Sequence, residues 1–320
     1  MSAFNARVIG YLLLPPMMWA GNAVVGRMLV GSMPPVAMNA LRWCMVAVLL
    51  WPLVAKRGIK WSEVWLRWPY LFWIGALGVG TYNALQYLAL RTSLPLNVTL
   101  IGSSIPVWMM LVGRIGFGQR LQIRQILGAL ISMAGVLLVM AKGDFDAFLK
   151  LKLVPGDLLM LLASLEWAIY SWLLAKPPAH MQAGQRPNWD WATFLWLQVI
   201  AGVAWAILSS GAEAIWMPQA GVPAWPHTVA AWAGLLFIAV GPSILAYRFW
   251  GLGVQAVGPT MAAFFINFTP VFAALWSTWL LGEHPRWYHP VALLLILSGI
   301  AVSSLQKRRR ELPRLEPKGG

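Results

Sequence analysis

One carboxylic acid, Glu166, lies near the middle of the apolar run 156–175. If that run crosses a lipid bilayer, the charge costs on the order of 2.5–3.5 kcal/mol, so the residue needs a chemical reason to be there. Burial favours the protonated form of a carboxyl group. Glu166 is therefore a candidate for taking up and releasing a proton. The alternative is a structural acid in a fixed ion pair or hydrogen bond.

Two arginines lie in other apolar runs and are the available partners for Glu166. Arg42 belongs to the run 36–54, close enough to its end that we expect the long side chain to reach the membrane surface. Arg248 belongs to the run 231–252 and follows Tyr247. It could bind an anionic group of a ligand or extend to the nearer surface, and the sequence leaves both open.

Aromatic and amide side chains recur at helical spacing in the same runs. Tyr82, Asn83 and Gln86 follow one another at i, i+1 and i+4, and Tyr247 and Trp250 form a similar pair. Such a stripe packs against other helices or lines a cavity, and amides inside an apolar run favour the cavity. The candidate substrate-binding residues are Trp19, Asn22, Tyr82, Asn83, Gln86, Ser103, Glu166, Tyr170, Tyr247, Arg248 and Asn267.

Motifs for metal, nucleotide or nucleophilic chemistry are missing from the sequence. All four histidines fall in predicted loops, and the closest approach to a metal site is Glu283 and His284 with His289. No P-loop and no nucleophile motif occurs. We therefore predict no catalytic residue, no bound metal and no cofactor.

The composition excludes a soluble globule. Charged residues make up 11% of the chain and hydrophobic residues 59%, against about 25% charged in a typical soluble domain. Apolar runs of this length predict helices that cross a bilayer. The net charge is +14, but the basic residues do not form a stripe with interleaved aromatic residues, so we expect no nucleic-acid partner.

The sequence predicts an all-α integral membrane protein with ten transmembrane helices. The predicted spans are 8–30, 36–54, 69–90, 95–115, 124–141, 156–175, 191–209, 231–252, 259–281 and 288–305. With the N-terminus in the cytoplasm, sixteen Lys and Arg residues fall on the cytoplasmic side and six on the other. Both chain ends are therefore expected in the cytoplasm.

An internal repeat relates the two halves of the chain. At an offset of 164 residues, Pro95 aligns with Pro259 and Pro106 with Pro270, and three further residues match, namely Leu111, Gly118 and Gly135. Five spans per half is an odd number, so the repeats are predicted to be inverted. The predicted units are a first repeat at 1–141, a linker at 142–155, a second repeat at 156–305 and a basic cytoplasmic tail at 306–320.

Pro106 and Pro270 lie near the middle of the fourth and ninth predicted spans and should kink both helices. Ser103 and Asn267 form a pair at the same offset on the adjacent turns. Interrupted helices at matched positions of two inverted halves are typical of a central transport site. The two prolines therefore predict that both turns face a central cavity.

The ordered segments WAGNAVVGRML, ALRW, SSIPVW, WAIYSWLLAK and FINFTPVFAALWSTWLLGE resemble the EamA-type family of the drug/metabolite transporter superfamily over residues 8–305. The resemblance implies two inverted five-helix repeats around a central cavity, alternating access and a bacterial inner membrane. It also implies export of small metabolites such as amino acids, driven by protons or by exchange.

Three other interpretations stay open at this stage. The protein could be an exchanger or uniporter in which Glu166 is structural. It could also be a membrane-embedded enzyme or a lipid-handling protein, although the absence of reactive motifs argues against that class. Gly128, Ser132 and Gly135 form a small-residue face that matches Gly299 and Ser303. Such faces pack either within one chain or between two copies in a homodimer.

Overall fold

The computed structural model describes residues 5–29, 33–93, 95–144, 146, 153–182, 184–216, 225–281 and 286–304. This part of the chain is helical and contains no β-strand. The α-helices are α1 (Ala6–Met28), α2 (Pro35–Ala55), α3 (Trp61–Gly75), α4 (Tyr82–Ala89), α5 (Pro95–Gly102), α6 (Ile105–Phe117), α7 (Ile123–Met140), α8 (Pro155–Ala175), α9 (Trp191–Trp216), α10 (Val229–Ile238), α11 (Ala246–Val257), α12 (Pro259–Ile266), α13 (Thr269–Leu281) and α14 (Tyr288–Ser304).

Seven helical stretches in the described residues are long and apolar enough to cross a membrane. Mean hydropathy of their central windows ranges from 1.3 to 2.0. Large apolar side chains such as Ile115, Trp216 and Trp279 are mostly exposed on the outside of the bundle, as a lipid-facing surface requires. The protein is an all-helical integral membrane protein.

Two of the long helices contain a π-helical segment. Ala76–Thr81 (π1) joins α3 to α4, and Ala239–Leu245 (π2) joins α10 to α11. In π1 the Thr81 hydroxyl lies 2.9 Å from the Ala76 carbonyl, and in π2 the Ser243 hydroxyl donates to the Ile238 carbonyl at 2.8 Å. Each hydroxyl reaches a carbonyl five residues back that the wider turn leaves without its usual partner. The two segments coincide when shifted by the 164-residue offset.

Two other helices are interrupted at Ser103–Ser104 and at Asn267–Phe268, again related by the offset. The interruption precedes each proline, so Pro106 and Pro270 occupy the second position of α6 and α13. A proline there costs no hydrogen bond, because the first turn of a helix has no internal acceptor for its N–H. The Thr269 hydroxyl donates to the Ile266 carbonyl at 2.6 Å, which satisfies a group exposed by the break.

The halves pack through matching pairs of helices. α1 packs on α11 and α13, and correspondingly α8 packs on α4 and α6. α2 packs along α9, and α7 packs most extensively along α14. In the last pair a Cβ on Gly128 would lie 2.5 Å from the Gly299 carbonyl, and one on Gly299 would lie 2.8 Å from the Ser132 Cβ. The small-residue face is therefore used inside one chain.

The joint between π1 and α9 depends on glycine. A Cβ on Gly202 would approach the Gly75 carbonyl and Val79 Cβ to 2.5 Å, and a Cβ on Gly78 would approach the Tyr170 ring to 2.6 Å. Backbones come this close only where neither residue has a side chain. The contact holds π1 against α9 and α8, next to the aromatic residues described below.

Candidate functional site

Aromatic rings from four helical segments meet around Trp167 of α8. Its ring centroid lies 4.9 Å from Tyr82, 5.2 Å from Trp19 and 5.6 Å from Tyr247. Offset and edge-on pairs at these distances are attractive. We call the set Trp19, Trp43, Tyr82, Trp167, Tyr170, Tyr247 and Trp250 the aromatic layer, since these rings contact one another across the centre of the bundle.

Hydrogen bonds fix the orientation of several rings. The Tyr247 hydroxyl donates to the Gly78 carbonyl of π1, and the Gln198 amide donates to the Tyr170 hydroxyl at 3.0 Å. The Trp250 indole donates to Ser171 at 3.1 Å, and the Trp19 indole to the Pro242 carbonyl at 3.2 Å. Two of these four bonds, Tyr247 to Gly78 and Trp19 to Pro242, cross between helices of different halves, so the layer depends on how the halves are docked.

Two indole N–H groups in the layer have no acceptor among the described residues. They belong to Trp43 and Trp167, whose nitrogens are buried. Tyr247 contacts both rings, with centroid distances of 5.0 Å to Trp43 and 5.6 Å to Trp167. Buried donors are usually paired, so two unpaired donors in one cluster are a feature of this site.

The structure corrects the expectation for Arg42. The side chain does not reach the membrane surface, since only 2% of the residue is exposed. Its Nε donates to the Ser243 hydroxyl at 2.7 Å, and one terminal nitrogen contacts Asn83 at 3.4 Å and Tyr87 at 3.5 Å. These partners lie on π2 and α4, so tertiary contacts turn the guanidinium inward.

Glu166 does not pair with an arginine either. Its Oε2 lies 2.8 Å from the Thr81 hydroxyl, at the end of π1. Two other acids of the membrane helices have capping roles, because Asp157 accepts from the Val154 N–H and Glu213 accepts from the first N–H groups of α2. Among the described acids of the membrane helices, Glu166 is the one that lies in the middle of its helix and does not accept from N–H groups at a helix start.

Two joined chambers open at the end of the bundle that carries the loop 176–190. The outer chamber has a volume of about 540 Å³ and the inner one about 160 Å³. Leu174, Arg186 and Gln255 line both, so the chambers adjoin each other. The inner chamber ends at Tyr170, Tyr247 and Gln198. The aromatic layer therefore closes the path at this depth.

The loop that forms the outer wall is anchored by a buried arginine. Arg67 of α3 donates to the carbonyls of His180 at 3.1 Å and Gln185 at 2.6 Å. Its guanidinium also lies over the Trp189 ring, 5.9 Å from the centroid. A third bond, to the Glu63 carbonyl, holds the Arg67 guanidinium to its own helix, so the two loop carbonyls are tied to α3. Arg186 of this loop lines the chambers.

Arg248 lines the inner chamber, where its guanidinium lies 4.1 Å above the Trp191 ring. The neighbouring acid, Asp190, forms an ion pair with Arg57 at 3.3 Å. Partial burial alone would raise the pKa of Asp190, but hydrogen bonds from Thr193 and the charges of Arg57 and Arg248 outweigh it, so the pKa lies below its usual range. Asp190 is thus ionised and largely neutralised by Arg57.

The predicted site residues are not all found in one place. Trp19, Tyr82, Asn83, Glu166, Tyr170, Tyr247 and Arg248 lie in or beside the aromatic layer and the chambers. Asn267 lies apart from them, because its amide donates to Ser132 of α7 at 2.9 Å, and buried Ser103 lies at the break between α5 and α6. Asn22 and Gln86 are half-buried, and the Asn22 Oδ1 has no partner in the described chain.

Sequence reasoning did not select Trp43, Thr81, Gln198 or Ser243 for the site. Trp43 and Gln198 belong to α2 and α9, neither of which has a helix break near these residues to mark them. Gln198 lies in a helix with few other polar side chains, and that isolation was the available signal. No group of His, Cys, Asp and Glu that could hold a metal occurs in the described residues, and Glu283 and His284 lie outside them.

Known transporters resemble this chain along most of its length. The transporter YyaM of Bacillus subtilis, itself uncharacterized, is 25% identical over 86% of this chain and 86% of its own. The aromatic amino acid exporter YddG of Ancylobacter novellus is 25% identical over 97% of this chain and 100% of its own. The uncharacterized inner membrane transporter YedA of Escherichia coli K12 is 24% identical over 94% and 91%. These names indicate a transporter rather than an enzyme.

The fold has a solved counterpart as well. A crystal structure superposes on this chain with a TM-score of 0.74 at 20% identity, over 96% of this chain and 100% of the other. The model of the EamA-like transporter family matches residues 6–141 and 154–305. Together, the two matched ranges include the aromatic layer, the π segments and both helix breaks. The protein is a member of the EamA-like transporter family.

Proposed function

We propose that this protein is a secondary active transporter that exports small metabolites, amino acids or related compounds, from the cell. One observation carries the proposal: two adjoining chambers extend from one end of the bundle to the tyrosines of the aromatic layer. A path open at one end and closed at the centre is what one state of an alternating-access cycle requires. The relative YddG is named as an exporter of aromatic amino acids, and rings in the layer suit such compounds.

The halves are proposed to be inverted repeats that rock against each other. The paired π segments and the paired breaks support this arrangement, since both recur at the 164-residue offset, and the helix contacts of α1 in one half match those of α8 in the other. The ten helical stretches from α1 to α14 are then ten membrane spans, with both chain ends in the cytoplasm. The chambers open to the cytoplasm in this orientation, as loading of an exporter requires.

Glu166 is proposed to couple transport to protons. The Thr81 hydroxyl has one proton, yet it lies within hydrogen-bond distance of both the Ala76 carbonyl and Glu166. If Glu166 is protonated and donates to Thr81, both contacts are full hydrogen bonds, whereas an ionised Glu166 has to share the one hydroxyl proton with the Ala76 carbonyl. When the proton leaves Glu166, the carboxylate competes with the Ala76 carbonyl of π1 for the one proton of the Thr81 hydroxyl. Proton release is thus tied to the packing of π1 against α8 and α9.

The charged groups around Glu166 leave it free to titrate. Asp157 caps the start of the same helix, Arg42 is held by Ser243, and Arg248 lies over Trp191. Tyr82 of α4 and Tyr170 of α8 are neighbouring phenols that stay neutral near pH 7. No ion pair of Glu166 occurs in the described part of the chain.

Glu166→Gln tests the coupling in proteoliposomes that contain the purified full-length protein. The amide keeps a neutral donor next to Thr81, so counterflow of a transported compound should persist at a similar rate. Transport driven by an imposed pH gradient should fall to the rate without a gradient. Full gradient response in the variant would show that the acid is structural, as in an exchanger or uniporter. A metabolite panel with no compound transported by the unmodified protein would refute the exporter proposal itself.

A further inference from the structure

All charged side chains that line the two chambers are cations. They are Lys176, Arg186 and Arg248, and no described carboxylate is among the lining residues. Lys176 is held to the Phe117 carbonyl at 3.1 Å, whereas Arg186 and Arg248 face the space that the two chambers share or continue into. Like charges concentrated in a cleft raise the local concentration of anions and repel cations. The lining charges therefore favour anionic ligands over cationic ones, although Asp190 next to Trp191 offsets part of the Arg248 charge.

A further cation, Arg42, lies near Tyr247 and is not among the residues that line the chambers. Arg42 is almost fully buried, and its partners Ser243, Asn83 and Tyr87 are all neutral. No ion pair of Arg42 occurs among the described residues. A buried charge without an opposite charge is costly inside a membrane protein and marks a functional position. Ser243, which holds Arg42, is five residues before Arg248, about 7.5 Å along a helix.

Two donors of the aromatic layer have no acceptor among the described residues. The buried indole N–H groups of Trp43 and Trp167 have none in the described chain, although Tyr247 contacts both rings. Trp43 also lies beside the Arg42 guanidinium, 4.8 Å from its ring centroid. An acceptor placed here would satisfy both donors, and the Arg42 guanidinium beside Trp43 favours one with negative charge.

We propose that the transported molecule joins a carboxylate to an aromatic or bulky apolar group, with Arg248 and Arg42 binding the carboxylate in turn near Tyr247. This rests on the proposed transport function and adds the substrate class. Arginine suits the role because its planar fork matches the two oxygens of a carboxylate. Arg186 draws the anion into the chambers, Arg248 binds it there, and Arg42 receives it after the halves have rocked.

Two probes of nearly the same shape test the charge requirement. Radiolabelled 3-phenylpropionate and 3-phenylpropanamide differ in the carboxylate alone, and equilibrium dialysis against the purified full-length protein measures both affinities. We expect the carboxylate to bind about tenfold more tightly, the effect of one good ionic contact. Arg248→Gln should remove that difference. Arg120→Gln makes the same change of charge at an exposed loop position outside the chambers and should leave the difference intact.

Arg42 is tested by transport rather than by binding. In proteoliposome counterflow of 3-phenylpropionate, Arg42→Gln should stop transport while binding at the chambers persists. Because this variant could fold poorly, Arg42→Lys is measured beside it: the lysine keeps the charge, loses the fork and should reduce the rate about tenfold.

Three results would overturn the proposal. They are equal affinity for the two probes, binding to neither, or a charge preference that survives Arg248→Gln. If the metabolite panel nevertheless shows export of other compounds, the transport function stands and only the substrate class fails. If the panel shows no transport at all, the proposed function fails first.

Discussion

At the scale of single residues, three acids in the membrane helices do different jobs. Asp157 and Glu213 accept from backbone N–H groups at helix starts, whereas Glu166 contacts a hydroxyl at mid-helix. A cap is needed as long as the helix is folded, while a mid-helix acid can change its protonation without unravelling a helix end. The chemistry of each acid therefore follows from its position along a helix.

The Glu213 cap should matter for stability and not for coupling. Glu213→Ala leaves the buried N–H groups of Val36 and Ala37 without their acceptor, and we expect the free energy of unfolding to fall by about 1–3 kcal/mol. Thermal unfolding in detergent micelles measures the change. The control Glu63→Ala removes a partly exposed pair with Lys60 and should cost less than about 1 kcal/mol. A Glu213 variant as stable as this control would contradict the capping role.

At the scale of elements, irregular helix geometry is concentrated around the candidate site. Both π segments carry a hydroxyl that bonds a carbonyl five residues back and also contacts an ionisable side chain, Glu166 for Thr81 and Arg42 for Ser243. Such turns are common at functional positions because they release backbone groups from the regular pattern. In this protein each π segment links an ionisable side chain, Glu166 or Arg42, through a hydroxyl to a backbone carbonyl, Ala76 or Ile238.

Close packing of π1 on α9 can be tested with one methyl group. Gly202→Ala places a Cβ about 2.5 Å from the Gly75 carbonyl, and we expect a loss of about 1–3 kcal/mol and slower transport. Gly211→Ala is the matched control on the same helix, since its Cβ meets nothing within 4 Å. The control should be neutral or slightly stabilising, because alanine favours helix over glycine. Equal melting temperatures for the two variants would show that the contact is looser than described.

At the scale of the whole molecule, two docked halves share one path. α2 and α9 form a central contact, α7 and α14 a peripheral one, and the rings of the aromatic layer come from both halves. Small rotations of one half against the other would change the ring contacts and leave each half intact. We therefore propose that the layer is the gate of the rocking motion proposed above.

Inverted topology can be checked with cysteine labelling, because Cys44 is the single cysteine. In a Cys44→Ser background, Lys60→Cys precedes α3 and Arg91→Cys follows α4. We expect an impermeant maleimide applied outside spheroplasts to label position 91 and not position 60. Arg120→Cys should behave like position 60, since α5 and α6 return the chain to the cytoplasm. Labelling of positions 60 and 91 from the same side would rule out the arrangement.

Some features of this protein were readable from the sequence alone. Composition predicted membrane helices, the 164-residue offset predicted paired features, and Pro106 and Pro270 marked the two interrupted helices within a few residues. These signals are local or periodic along the chain, so they survive without knowledge of how the helices are rotated. The resemblance of the ordered motifs to one transporter family was correct for the same reason.

Only the tertiary structure decided which side chains meet. Arg42 turns inward because Ser243, about two hundred positions away, offers it a partner, and Asn267 joins Ser132 instead of the central site. Trp43 enters the aromatic layer through the rotation of α2, which the sequence of this helix does not reveal. Contacts of this kind depend on how helices are rotated and docked, and this information is absent from spacing along one helix.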